Sequence, residues 1–133
     1  MLFSHEKLIV YQRSLEFVEH TDKVFSFTPE RISAHWQLDK ASTSIPLNIA
    51  EGTGKYTGKD KCHYYDIARG SALESASCLD VLLIRGKISK ELCEGGKNLL
   101  YEIVSMLTGL IKSTSDRVYE NEIEYKTSNE SES

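Results

Sequence analysis

The sequence is poor in residues that interrupt helices, because its 133 residues include only two prolines, Pro29 and Pro46. Proline removes a backbone donor and clashes with the preceding turn, so its scarcity favours helices over a loop-rich β fold. Long apolar runs are absent as well, and no stretch approaches the roughly 20 residues of a membrane span. The first ten residues lack the basic region and the cleavage site of a secretory signal. We therefore predict an all-α protein that is cytoplasmic and has no membrane partner.

The sequence also has few cysteines and no excess of positive charge. The three cysteines form no C-x-x-C pair, which is typical of reduced thiols in the cytoplasm. The formal net charge is −4, and the residues after 117 account for all of it. The preceding residues carry equal numbers of acidic and basic side chains, which excludes a strongly basic nucleic-acid binder. We predict a domain over residues 1–118 and a disordered acidic tail over 119–133.

The sequence is rich in apolar residues at helical spacing, three and four positions apart. Four segments show this spacing: 6–27, 29–52, 59–85 and 90–115. Thr28 and Pro29 suit the start of the second helix, Gly86 suits a left-handed cap after the third, and Ser89 suits the N-cap of the fourth. Four helices joined by short turns predict an antiparallel up-down-up-down four-helix bundle.

Three of the four predicted helices carry a second apolar stripe beside the first. The second stripes consist of Val10, Phe17 and Val24; Ile67 and Val81; and Leu100, Leu107 and Ile111. A monomeric bundle needs one apolar stripe on each helix. The apolar face of these helices is therefore wider than a bundle core requires. It either forms a broad core face or is buried between subunits. The second alternative predicts a homo-oligomer held together by these second stripes.

Patterns for metal binding, cofactor binding or nucleophilic catalysis are not found. The four histidines include no pair at the i, i+4 spacing of a helical metal site, and H-E-x-x-H is absent. No cysteine has a histidine and a carboxylate at a spacing that would activate it, so we interpret the cysteines as small buried apolar residues. The segment Gly52-Thr53-Gly54-Lys55 is not a phosphate-binding P-loop. We therefore expect no metal, no cofactor and no catalytic residue.

The most unusual stretch is SIPLNIAEG, residues 44–52. Pro46 lies inside the predicted second helix, where it frees a backbone carbonyl at a cost on the order of 3 kcal/mol. Ser44, Asn48 and Glu51 share one helical face beside it. These side chains either satisfy freed backbone groups and bond to the next helix, or they bind a ligand.

Glu74 in the third predicted helix offers a similar choice. Its carboxylate lies either at a solvated edge or in a buried polar network. A deep pocket that holds Asn48, Glu51 and Glu74 away from solvent would favour an enzyme or a small-ligand-binding protein. This is the alternative to a non-enzymatic module.

Two blocks and the opening of the chain resemble a known family. SIPLNIAEGTGK, preceded by Gln37-Leu38, and ARGSALESA (68–76) resemble the four-helix-bundle family encoded in 23S rRNA intervening sequences, as does the opening LIVYQ (8–12). The resemblance covers roughly residues 7–113, and it departs at Asp39, Ser42 and Thr43. It implies a structural role for the matching positions. These positions are Gln37, Ser44, Pro46, Asn48, Glu51, Gly52, Gly70, Ser71 and Glu74.

The resemblance also implies an assembly and a class of partner. It implies an antiparallel bundle that forms a ring, typically a homopentamer, with no known enzyme activity. The accessory variability determinant of diversity-generating retroelements is similar in fold, forms a ring, and binds nucleic acid and a reverse transcriptase. By fold-level analogy, RNA, single-stranded nucleic acid or a protein partner is expected here.

The residues that would contact nucleic acid cluster in the loop between the second and third helices. They are Lys55, Lys59 and Lys61, with Tyr56 among them and Arg69 further along. A single loop would bind phosphate weakly, but a ring repeats the loop on every subunit. Tyr56 offers a surface on which a base can stack. The alternative is a solvated loop. The leading interpretation is a non-enzymatic ring-forming helical-bundle module whose role the sequence does not assign, with RNA or a nucleoprotein as the candidate partner.

Overall fold

The chain forms four long helices preceded by a short 3-10 helix, Ser4–Lys7. In the computed structural model, the backbone is described for residues 1–132 and the side chains for residues 1–117. The long helices are α1 (Ile9–Ser26), α2 (Ser33–Thr53), α3 (Gly58–Ile84) and α4 (Lys90–Glu132). Helices α1 and α3 each pack against both α2 and α4. This arrangement confirms the predicted all-α, up-down-up-down four-helix bundle.

The core takes one apolar face from each helix. Its fully buried side chains include Phe17, Leu38, Ile45, Ile49, Leu79, Leu82, Ile103 and Leu107. The prediction that the second stripes of α1 and α4 lie between subunits is therefore wrong for Val10, Phe17, Val24, Leu100 and Leu107, which are buried within the subunit. The physical reason is that two adjacent apolar stripes share one period. Their spacing identifies the helix but not which stripe turns inward.

Helix ends agree with the sequence at the turn between α3 and α4 and differ at the turn between α1 and α2. Gly86 has a φ of +70°, and the Ser89 hydroxyl accepts a hydrogen bond from the Leu92 N–H at 3.1 Å, so both predicted caps are confirmed. Helix α2, however, begins at Ser33 rather than at Pro29. The Thr28 hydroxyl donates to the Lys87 carbonyl at 2.9 Å instead of capping α2. This contact spans 59 residues, so no local pattern could have indicated it.

Helix α4 runs to Glu132, well past the predicted end near Ser115. The sequence after Gly109 contains neither glycine nor proline, so nothing in it stops a helix. Side chains from residue 118 onward lie outside the described residues. The predicted domain boundary at 118 and the predicted disordered tail over 119–133 fall there and stay predictions.

Candidate functional site

Within the SIPLNIAEG block, Ser44 bonds to α3 and Asn48 bonds back to Ser44. Pro46 is buried, and the Asn48 side-chain amide donates to the Ser44 carbonyl at 2.8 Å and to the Ser44 hydroxyl at 2.9 Å. The Ser71 hydroxyl of α3 donates to the same Ser44 hydroxyl at 2.9 Å, and Ser75 donates to the Ser71 carbonyl. These groups hold the two helices in one register.

Gly52 permits a close approach of α3 to the end of α2. A Cβ atom at this position would lie 3.0 Å from the Tyr64 Cβ and 3.0 Å from the Tyr65 ring, so only a hydrogen atom fits without movement. The adjacent Thr53 hydroxyl lies 3.0 Å from the Tyr65 hydroxyl. The Lys61 ammonium donates to the Thr53 carbonyl at 2.8 Å and so satisfies one of the free carbonyls at the end of α2.

The carboxylates of the block are exposed and far apart. Glu51 and Glu74 both face solvent, as does Gln37. Ser44 and Ser71 lie at the same level of the antiparallel pair, since they share a hydrogen bond. Glu51 is seven residues from that level and Glu74 is three residues from it in the opposite direction, which separates them by roughly 15 Å along the bundle. The structure therefore does not bring Asn48, Glu51 and Glu74 together.

The two remaining residues of the ARGSALESA block that were singled out behave differently. The Arg69 guanidinium donates to the Thr108 hydroxyl of α4 at 2.9 Å, so it ties α3 to α4. Gly70 is exposed, and a Cβ atom there would meet nothing within 4 Å. Gly70 therefore has no packing requirement of the kind that Gly52 has.

Two lysines of the cationic loop between α2 and α3 make contacts within the subunit. The Lys55 ammonium lies 5.1 Å from the centre of the Tyr64 ring, a cation–π contact, and Lys61 is bonded to Thr53 as described. Lys59 is exposed and makes no ion pair with the described side chains. Tyr56 is fully exposed. Of the five residues predicted to contact nucleic acid, Lys55, Lys61 and Arg69 each contact another part of the subunit. Among the described side chains, Lys59 and Tyr56 could bind a partner without losing such a contact.

A cavity at the other end of the bundle was not predicted from the sequence. It has a volume of about 660 Å³ and lies where the end of α1, the turn after α3 and the start of α4 meet. We call it the turn-end cavity. Its lining residues are His20, Lys23, Phe27, Gly86, Lys87, Ile88, Ser89, Glu91 and Leu92. These residues come from two segments about 60 positions apart, so no local motif signals the cavity.

The frame of the turn-end cavity is held by hydrogen bonds from three directions. The Lys87 N–H donates to the Leu82 carbonyl at 2.8 Å, and the Lys87 carbonyl accepts from Thr28. The His20 Nε2 lies 2.8 Å from the Leu92 carbonyl and must donate to it, because a carbonyl only accepts. Gly96 makes room for this imidazole, since a Cβ atom there would lie 3.0 Å from the His20 ring. These hydrogen bonds therefore fix the backbone of the residues that line the cavity.

A buried histidine lies at the same end of the bundle, at the start of α2. The Ile32 N–H donates to the His35 Nδ1 at 3.0 Å, which fixes the proton of the neutral ring on Nε2. Burial lowers the pKa of His35, and the nearby charges of Arg31 and Lys87 lower it further. The ring is therefore a neutral capping group.

An apolar groove lies on the outer side of α3 and α4. A cavity of about 170 Å³ is bordered by Leu73 and Tyr101, which are 50% and 77% exposed. The other residues of this α3–α4 groove are Ala72, Ala76, Lys97, Leu100 and Val104. The Lys97 ammonium donates to Asp80 at 2.8 Å, so its charge is paired. The groove itself therefore presents mainly hydrocarbon to solvent.

The expectation that the cysteines are buried is wrong for Cys62, which is half-buried and lies with its Sγ 3.4 Å from the Ser115 hydroxyl. Cys78 and Cys93 are buried, and burial raises the pKa of both thiols, which disfavours the reactive thiolate. In the part of the chain with described side chains, no group of three His, Cys, Asp or Glu residues could hold a metal ion. Among the described helices, none is long and apolar enough to cross a membrane.

Comparison with known proteins agrees with the fold. A protein of unknown function from the S23 ribosomal protein family of Bacteroides thetaiotaomicron has a similar crystal structure, with a TM-score of 0.74 and 27% sequence identity. The match covers 78% of this chain and 99% of that one. Among curated proteins, none matches the chain. The family description "23S rRNA-intervening sequence protein" matches residues 6–109, which is most of the bundle. The chain therefore belongs to the 23S rRNA-intervening sequence protein family.

Proposed function

We propose that the protein is a non-catalytic helical-bundle module that assembles with copies of itself into a ring. The observation that carries this proposal is the α3–α4 groove, where Leu73 and Tyr101 expose apolar surface on both sides of an apolar cavity. Ile84, at 87% exposure, lies eleven residues beyond Leu73 and so on the same stripe of α3. Ser77 and Asp80 lie between them on this stripe, so Leu73 and Ile84 belong to two separate apolar patches on one side of α3. Exposed apolar patches of this kind mark sites of association.

A second apolar surface on the outside of α2 supports a ring over a simple dimer. Trp36 and Leu47 are 58% and 64% exposed and are also eleven residues apart on one stripe. A ring with an odd number of subunits needs two different surfaces on each subunit, one for each neighbour. The α3–α4 groove and this α2 stripe supply two such surfaces. The family resemblance favours five subunits.

Light scattering during size-exclusion chromatography tests the assembly. The wild-type protein is expected at about five times the 15.0 kDa monomer mass. The double variant Leu73→Glu/Tyr101→Glu is expected to be a folded monomer, because both side chains are exposed and charges there oppose apolar contact.

The matched control is Ser113→Glu, an exposed position on α4 about a third of a turn away from the face of Tyr101. This variant is expected to keep the wild-type mass. A wild-type monomer at micromolar concentration would contradict the proposed assembly.

Binding of single-stranded nucleic acid is a second candidate function, and the exposure of Tyr56 favours it. A fully exposed tyrosine beside the unpaired Lys59 combines a stacking surface with a positive charge. Repetition around a ring would multiply the weak contact of one loop. The description of the similar crystal structure as a member of a ribosomal protein family supports an RNA partner.

Fluorescence anisotropy with labelled single-stranded RNA at low salt tests this candidate. The variant Tyr56→Ala/Lys59→Glu is expected to bind at least about tenfold more weakly, since stacking on one aromatic ring contributes about 1–3 kcal/mol. Lys55 and Lys61 are left unchanged because both make contacts that hold the end of α2. Lys90→Glu is the matched control, since it changes the net charge equally at an exposed site on α4 at the end of the bundle away from this loop. Equal losses in the two variants would argue against the loop.

A further inference from the structure

We propose that the turn-end cavity is a binding site for a nucleotide, meaning a phosphate monoester that carries a planar heterocyclic base. The cavity lies at the end of the bundle opposite the Lys55–Lys61 loop, where the end of α1 meets the turn between α3 and α4. The inference does not depend on the proposed assembly. The cavity has a volume of about 660 Å³, which lies within the range usual for small-molecule sites, about 300–1,000 Å³.

Two unneutralised ammonium groups give the cavity its preference for an anion. Lys23 and Lys87 both line it, and neither makes an ion pair with the side chains described. Two other lysines near this end of the bundle are paired: Lys97 with Asp80 at 2.8 Å and Lys90 with Glu94 at 3.9 Å. Glu91 is the one carboxylate in the lining, so the wall keeps a net positive charge. A phosphate monoester supplies the missing negative charge.

An exposed aromatic ring gives the cavity its preference for a base. Phe27 lies in the wall with 75% of its surface exposed, and the apolar residues Ile88 and Leu92 also line the cavity. A phenylalanine exposed to this extent loses unfavourable contact with water when a planar base stacks on it. Exposed lysines alone hold a free phosphate weakly, because water and salt screen their charge. The ligand therefore needs both a phosphate and a flat apolar group.

The backbone beneath these side chains is already in position. Lys87 follows the left-handed Gly86, and both of its backbone polar groups are hydrogen-bonded, one to Leu82 and one to Thr28. The Ser89 hydroxyl is committed to the N–H of Leu92, and His20 is bonded to the Leu92 carbonyl. Binding therefore orders only the lysine side chains and not the turn, which keeps the entropic cost low.

Isothermal titration calorimetry with adenosine 5′-monophosphate at low salt tests the site. The wild-type protein is expected to bind this nucleotide, and to bind inorganic phosphate and adenosine at least about tenfold more weakly. Lys23→Gln/Lys87→Gln is expected to weaken binding of the nucleotide by at least about tenfold. Phe27→Ala is expected to weaken binding of the nucleotide but to leave the weak binding of phosphate unchanged. Both variants are expected to fold, because the altered groups are side chains at the surface or the rim.

Lys90→Gln is the matched control, because it removes a nearby lysine that is not part of the lining. It is expected to bind the nucleotide like the wild type. A wild-type protein that binds no nucleotide at millimolar concentration would overturn the proposal, as would equal losses in Lys90→Gln and in the double variant. A short RNA with a 5′-phosphate, compared with the same RNA without it, distinguishes the end of a strand from a free nucleotide as the source of the ligand.

Discussion

Replacement of Leu107 by glutamate is expected to unfold the protein rather than to dissociate an assembly. Leu107 is fully buried in the core. Truncation of such a leucine to alanine costs about 2–5 kcal/mol, and an unpaired carboxylate in the same place costs several kcal/mol more. A domain of this size has about 5–15 kcal/mol of total stability, so the substitution consumes most or all of it. Circular dichroism should show loss of the helical signal at room temperature.

Ser105→Glu is the matched control for Leu107→Glu, because it places the same charge on an exposed position of α4 two residues away. It is expected to change stability by less than about 0.5 kcal/mol. A Leu107→Glu variant that stays helical with a reduced mass in solution would show that the residue lies between subunits. That outcome would restore the interface predicted from the second stripe of α4.

Gly52→Ala is expected to destabilise the protein by about 1–3 kcal/mol, the usual cost of overpacking. The added methyl group would meet the Tyr64 Cβ, the Tyr65 ring and the Lys61 carbonyl at 3.0, 3.0 and 3.1 Å. The Cβ and the carbonyl belong to or adjoin the backbone of α3, so they cannot move without shifting the helix. Chemical denaturation is the measurement, with a lower midpoint and an unchanged slope as the expected result.

Gly70→Ala is the opposite case and serves as the control. Gly70 lies within α3 and is exposed with open space around its Cα, so alanine improves helix propensity without a clash. The expected gain is about 0.5–1 kcal/mol, since glycine is that much less favourable than alanine inside a helix. Equal destabilisation in both variants would mean that the Gly70 position faces a neighbour absent from the isolated subunit, such as another copy of the chain.

The sequence alone determined the helices, their order and two of their ends. Apolar spacing located all four helices, because burying one face of a helix imposes a period that the sequence must carry. Gly86 and Ser89 identified the turn between α3 and α4, since a left-handed cap and an N-cap each have a strong residue preference. The family resemblance likewise pointed to the block around Pro46, whose polar groups join α2 to α3.

Only the tertiary structure decided which faces turn inward and which side chains remain free. Helical period contains no information about phase when two stripes are apolar, so the inward face of α1 and α4 became clear only from the packed bundle. The loop lysines look equivalent in sequence, yet Lys61 is bonded to the end of α2 and Lys59 is exposed. The turn-end cavity joins the end of α1 to the start of α4. Contacts between positions so distant along the chain depend on how whole helices pack, and local sequence preferences do not encode them.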